Sequence, residues 1–495
     1  MRRELPTPAN LEHLKKQAKA ALRDLRRTNP RAQLADAQHA VARQYGFASW
    51  AKLKAHVESR ATDPAAAIVA AVKANDARRV AALLERHPEL KQRLNDPYPG
   101  APFGETPLLA CLQFRNRELI DVLLAAGADI NQKSHWWAGG FGVLDHAAEP
   151  GRPAWLAPFL IERGAIVDAH AATRLAMRGR LDALVSADPA HVHARGGDGQ
   201  TPLHVAPTVE IAAYLLDHGA DIDARDVDHE ATPAQWMVRD RQEVARYLVS
   251  RGAATDILMA AALGDRPLVE RHVETDPAVI RTSVNDAWFP KRDPRAGGHI
   301  YIWTLGHDRT AHTVAREFGH DEVLRLLIDR SPAELQLAVA GELWDEPTFR
   351  ALLAAHPDLV RTLTEADHRR LADAAHNNNT DGVRLMLAAG WPVDVRGSEG
   401  GTPLHWAAFH GNAEMVREIL RHRPPLDVRG DAYDAAPIGW AIYGSVHGWR
   451  PSKGDYARTV ELLLEAGAKR PPLTDDLDAS EPVRAVLRRH AAGPS

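Results

Sequence analysis

The residues able to do chemistry are numerous but scattered. The 495-residue chain holds 25 histidines, 65 aspartates and glutamates, and a single cysteine, Cys111. A zinc-protease helix needs two histidines one turn apart with a glutamate beside the first. No H-E-x-x-H occurs, and the segment HEATP at 229–233 supplies only its first two letters. His135, His299 and His307 sit in loop-like stretches, but no spacing fixes a ligand set, so no metal is expected. There is no G-x-S-x-G nucleophile turn and no phosphate-cradling Gly-Lys-Ser/Thr. Cys111 follows the string TPLLA at 106–110 on an apolar helix, which marks a small core residue rather than a nucleophile. The reading is a non-enzyme with no cofactor and no small-molecule substrate.

Bulk properties narrow the class. Hydrophobic residues at 45% and charged residues at 25% describe ordinary folded material, and the length calls for several domains or a repeat array. A formal charge of −4 gives no bulk attraction to nucleic acid or anionic membrane. The average conceals an asymmetry: residues 1–60 hold 13 Lys/Arg against 5 Asp/Glu, leaving −12 for the rest. One cysteine rules out intrachain disulfides. No secretory signal follows the basic start, and no run approaches the ~18 apolar residues of a membrane span. A cytoplasmic protein is expected, with signal-independent export left open.

What positions the scattered polar groups is internal repetition. TPLHVA at 201–206 and TPLHWAA at 402–408 are near copies, with weaker relatives at 106–110, 144–148, 232–234, 310–315 and 436–441. A second string closes many units: LLAAGADIN at 123–131, LIERGA at 160–165, LLDHGADID at 215–223, LVSRGA at 248–253 and LLEAGA at 463–468. From one string to the other runs a helix-turn-helix of roughly 33 residues. The threonine caps a helix whose first residue is proline, where a missing N–H does no harm. The histidine is expected to bond backbone or threonine groups. In the second helix, pairs such as Leu119/Ile120 and Leu123/Leu124 recur once per turn, giving one buried face. The glycine after it suits a left-handed helix end.

These strings resemble the ankyrin-repeat family. The resemblance implies an all-α solenoid of about ten to twelve units over residues 61–470. Degenerate units are expected at 64–95, 171–193, 256–280 and 333–360, where a D/H-P break closes each helix pair, as at His87-Pro88 and Asp276-Pro277. The pattern is similar to bacterial members of the family, and YGFASW at 45–50 resembles leaders that precede their arrays. Residues 1–60 read as a basic helical cap, with Leu11, Leu14, Ala18, Leu22 and Leu25 on one face. Residues 471–495 read as a closing helix over about 475–490 and a tail, 491–495, that frays.

Family resemblance further implies that a partner protein meets the finger tips and first helices, here Asp198, Gln200, Ser398, Glu399, Phe409 and His410 as solvent-facing contacts. Two long finger insertions add candidates of the types enriched at binding hot spots. The first, 132–142, carries Trp136, Trp137 and Phe141. The second, 285–309, carries Trp288, Phe289, Arg292, Tyr301 and Trp303. A shorter one occupies 95–105. A further ten residues fall between the helices of one repeat and include Trp449 and Arg450, expected away from the fingers. The competing expectation is that these aromatics fold back and plug gaps between fingers. Three functions stay open: a monomeric scaffold or adaptor gripping a partner protein, an exported effector gripping a host protein, and a nucleic-acid or membrane-surface binder using the leader.

Overall fold

The computed structural model describes residues 14, 17, 18, 21, 22, 34–47, 49–54, 64–98, 101–431, 434–449, 451–474 and 477–491. The expectations for Leu11, Leu25, Arg450 and the tail beyond 491 lie outside these. The described residues form helices and short 3-10 turns, with no strand beyond an isolated antiparallel bridge between Ser283 and Thr310. The chain divides into two compact units, 1–221 and 222–495.

In the first unit the described leader residues build a small core of their own. Leu14, Ala18, Val41, Ala42, Tyr45 and Leu53 are buried together, with Phe47 and Trp50 packed partly against them. The Tyr45 hydroxyl donates to Gln17 Oε1 at 3.0 Å, so the YGFASW segment pins one leader helix to another. Helix pairs follow, beginning with Pro64–Lys73 and Ala77–Arg86. Each degenerate stretch expected from sequence forms such a pair: Ala169–Arg174 with Arg178–Ala187, Ile257–Leu263 with Arg266–Thr275, and Ala333–Glu342 with Glu346–Ala355. The D/H-P breaks open 3-10 turns at Pro88–Arg93, Pro189–His193 and Pro277–Arg281. There the proline removes an N–H that the first turn does not need.

The repeat strings act locally as their residue types dictate. His405 Nδ1 accepts from the Thr402 N–H at 3.1 Å, so its proton sits on Nε2, which donates to the Ala435 carbonyl of the next repeat at 3.2 Å. His204 holds Thr201 in the same way at 3.0 Å. At the second helix's end, Gly467 takes φ 102° and Ala468 N–H reaches back to the Leu463 carbonyl at 2.9 Å, the six-residue closure of a left-handed cap. In the second unit Leu337 through Leu463 contribute to a continuous core. The last helix, Glu481–Ala491, closes it with Val483, Val486 and Leu487. Cys111 is buried, and burial pushes its thiol pKa up, as a core residue requires.

Candidate functional site

In the first unit the 132–142 insertion is fastened to its neighbours. Trp136 Nε1 donates to Asp198 Oδ1 at 3.0 Å, His135 N–H to the Gly104 carbonyl at 2.9 Å, and Asp198 N–H to the Gly139 carbonyl at 3.2 Å. Phe103 packs edge-on against Trp136 and Phe141, with centroids 5.0 and 5.6 Å apart. Phe141 lies so close to Gly197 that a Cβ there would collide with its ring. Trp136, Trp137 and Phe141 are half-buried. Asp198 and Gln200, expected to face solvent, are only 8% and 2% exposed. The reason is pairing: Trp136 covers the first, and Arg174 Nη2 bonds Gln200 Oε1 at 2.9 Å.

The second unit treats its insertion differently. The loop base is tied by reciprocal backbone bonds, Val284 N–H to the Arg309 carbonyl and Asp308 N–H to the Val284 carbonyl, both 2.9 Å. Its outer segment is clamped to the preceding finger. Glu230 Oε1 accepts the Arg292 and Asp293 N–H groups at 3.0 Å, and His229 Nδ1 meets the Gly298 carbonyl at 2.7 Å. Tyr301, expected as a contact, is fully buried, because its hydroxyl donates to Asp256 Oδ2 at 2.8 Å. Phe289 is half-buried against His299, with centroids 4.4 Å apart. Trp288, Arg292 and Trp303 remain exposed.

Clamping leaves a cleft on each side of Trp288. One, of about 590 Å³, is lined by Arg281, Ser283, Asn285, Asp367, Arg369 and Asp373 among others. The other, of about 400 Å³, has Thr232, Asp256, Phe289, Lys291 and Arg292 in its walls. Trp288, 41% exposed, is common to both. The clamped loop thus holds an exposed indole between two clefts.

Beneath the larger cleft lies a buried charge network. Asp308, held in the left-handed region at φ 57°, accepts from Ser398 Oγ at 2.5 Å and Arg369 Nη2 at 3.3 Å, with His376 Nδ1 at 3.3 Å. Burial opposes its ionisation, but the hydrogen bond and charge of His376, with Ser398 and Arg369, hold its pKa at about 2. Asp373 is raised well above the carboxylate range by burial and then by the Asp308 charge. Two carboxyls thus share one site with their pKa values pushed in opposite directions. Serine and histidine both bond the carboxylate here, so the arrangement orders a finger tip.

Glu399, Phe409, His410 and Trp449 form a third group. Trp449, 59% exposed, was expected at the end of the repeat remote from the fingers. Instead its loop turns back, so that its ring packs on Phe409 (5.2 Å between centroids) and shares a cavity with finger-tip Glu399. Phe409 and His410 are half-buried, and His410 Nε2 bonds the His376 carbonyl at 2.7 Å.

Comparison with known proteins agrees with this architecture. Residues 371–473 match the ankyrin-repeat family as three copies, and residues 103–135 and 198–227 match it as single repeats. The chain carries ankyrin repeats. It is 27% identical over 128 residues to the palmitoyltransferase Hip14 of Drosophila melanogaster, a match covering 26% of this chain and 18% of that protein. It is 37% identical over 97 residues to a probable E3 ubiquitin-protein ligase, XBOS31, of Oryza sativa subsp. japonica, covering 19% and 22%. The chain therefore spans about a fifth of the length of these relatives.

Several site residues of this ankyrin-repeat chain were not singled out by sequence reasoning. Arg369 and Asp373 lie on Glu365–His376, a helix without the TPLH string. Trp406 and Trp440 sit inside repeat strings, where their spacing signals core. The one available signal was their size at a position that Val205 and Ala110 fill in other copies.

Proposed function

We propose that this chain is an interaction module that grips a partner protein through the paired clefts around Trp288. The observation that carries this reading is an exposed tryptophan held on a loop clamped at both ends and flanked by clefts of about 590 and 400 Å³. Ankyrin repeats support a protein as the partner, and large aromatic and arginine side chains are what such contacts use. Lys291 and Arg292 are exposed beside Trp288 and favour an acidic partner segment. No helix among the described residues is long and apolar enough to cross a membrane.

The test is partner capture with the intact chain, a Trp288→Ala/Arg292→Glu variant and a Trp136→Ala variant, all shown folded by circular dichroism. Capture lost with the Trp288 variant and kept with the Trp136 variant is expected. Equal capture by all three would move the contact surface off the 285–309 loop. Salt-sensitive binding that disappears on deleting residues 1–60 would point to the basic leader instead.

A further inference from the structure

The cavity behind Trp449 has walls of an unusual kind. It encloses about 270 Å³ and is lined by Trp406, Phe409, Trp440, Tyr443, Trp449 and Glu399, with small residues filling the gaps. Trp406 and Trp440 meet at 90° with centroids 5.0 Å apart, and Phe409 meets Trp449 at 75° and 5.2 Å. Trp406 and Trp440 are buried in the repeat core, so two walls are rigid, while Tyr443 and Trp449 form an exposed rim. Gly439 stands in the wall, and a Cβ there would meet only Ala435 at 3.1 Å, so the space depends on a missing side chain.

At the same cavity stands one formal charge. Glu399 occupies the finger tip at φ 56°, is exposed, and lines the cavity beside the rings. Aromatic faces carry negative potential and attract a cation placed over them. A carboxylate beside several rings therefore selects a cation against neutral or anionic groups. It also discriminates among cations. A bare ammonium brings three N–H donors and a guanidinium five, whereas the lining offers only the Glu399 carboxylate and the Tyr443 hydroxyl as side-chain acceptors. Entering this cavity would strip water from donors that find no replacement. An ammonium whose hydrogens are replaced by methyl groups loses little water and fills the space with apolar surface.

We propose that this aromatic cavity takes the methylated ammonium of a lysine side chain carried on a protein segment. The choice of a protein as the source rests on the interaction reading above; the cation chemistry rests on the cavity alone. The site lies apart from the Trp288 clefts in its lining residues, so it adds a chemical requirement to partner choice rather than restating that surface.

The experiment is calorimetric titration of the full chain with capped trimethyl-lysine, capped lysine, and the uncharged analogue in which carbon replaces the quaternary nitrogen. Trimethyl-lysine is expected to bind at least about 10-fold tighter than either comparator. Trp449→Ala should weaken it about 10-fold and Glu399→Gln several-fold, both at exposed positions and both shown folded by circular dichroism. Gly439→Leu, which fills the cavity, should abolish it. Equal binding of the uncharged analogue would reduce the site to an apolar hole and overturn the proposal. So would absence of heat with every probe, or an affinity indifferent to Gly439→Leu. Trp449-dependent sedimentation with phosphatidylcholine vesicles, with the lysine probe inert, would replace the lysine by a lipid headgroup. Because the probe is a small molecule, these outcomes are independent of whether Trp288 contacts a partner.

Discussion

Individual side chains in the second unit carry protonation states that folding imposes. Asp308 is held ionised, whereas burial and the Asp308 charge disfavour ionisation of Asp373, so their amide variants should differ. Asp373→Asn keeps the shape and removes a charge that burial already disfavours, and is expected to change stability by less than about 1 kcal/mol. Asp308→Asn removes the buried carboxylate that Ser398, Arg369 and His376 Nδ1 all bond and is expected to cost about 3 kcal/mol, read by urea unfolding at neutral pH. Three buried histidines make a second prediction. Burial lowers His405 and His299 to about 4 and His312 to about 3, against about 6.5 in the unfolded chain. Between those values the unfolded state binds protons that the folded state does not. Stability is therefore full above about pH 6.5 and falls as pH drops toward 4, by up to about 1.4 kcal/mol per pH unit for each histidine. Unfolding midpoints at pH 7.5 and 5 would show the slope, and His405→Gln should flatten it. The TPLH histidine was legible in sequence as structural. Its tautomer was not, because that depends on the Ala435 carbonyl of another repeat.

At the scale of helices and loops, the sequence spoke clearly where one residue type solves one local problem. Gly467 ends its helix at φ 102°, with open space where a Cβ would sit. Gly467→Ala should therefore destabilise through backbone strain alone, by about 1–2 kcal/mol, measured as a shift in unfolding midpoint. The two long insertions look alike in composition yet behave differently. The 132–142 loop turns its tryptophans toward neighbouring fingers because Asp198 and Gly104 offer partners for Trp136 and the His135 backbone. The 285–309 loop is held instead by Glu230 and Asp256, which take the Arg292 and Asp293 backbone and the Tyr301 hydroxyl and leave Trp288 outside. Which aromatic stays exposed and which becomes a plug is decided by carboxylates 45 to 63 residues away in sequence.

For the whole chain, stability in a repeat stack is a sum of neighbour contacts, so an end must be covered. Val483, Val486 and Leu487 pack into the core of the repeats before them. Ending the chain at residue 480 should remove three buried apolar side chains, each about 1.5–3 kcal/mol, and lower the melting temperature. The loss should be local. Hydrogen exchange is expected to quicken in helices Pro437–His447 and Tyr456–Glu465 while Pro107–Cys111 and Arg117–Ala125 keep their protection. Uniform loss across the chain would contradict neighbour-limited coupling.

The sequence by itself determined the helix pairs, their caps, the left-handed glycine ends and the face each second helix buries. All of these follow from interactions within one repeat, among residues at most a few turns apart. It also located the insertions, because they interrupt a period. Tertiary structure alone decided what the insertions do. Asp198 and Gln200 went inward, Tyr301 became core, Trp288 stayed out, and Trp449 folded back toward a finger tip to complete an aromatic cavity. Each of those outcomes turns on a partner in another repeat, and a periodic sequence fixes where repeats begin without fixing which side chains meet across them.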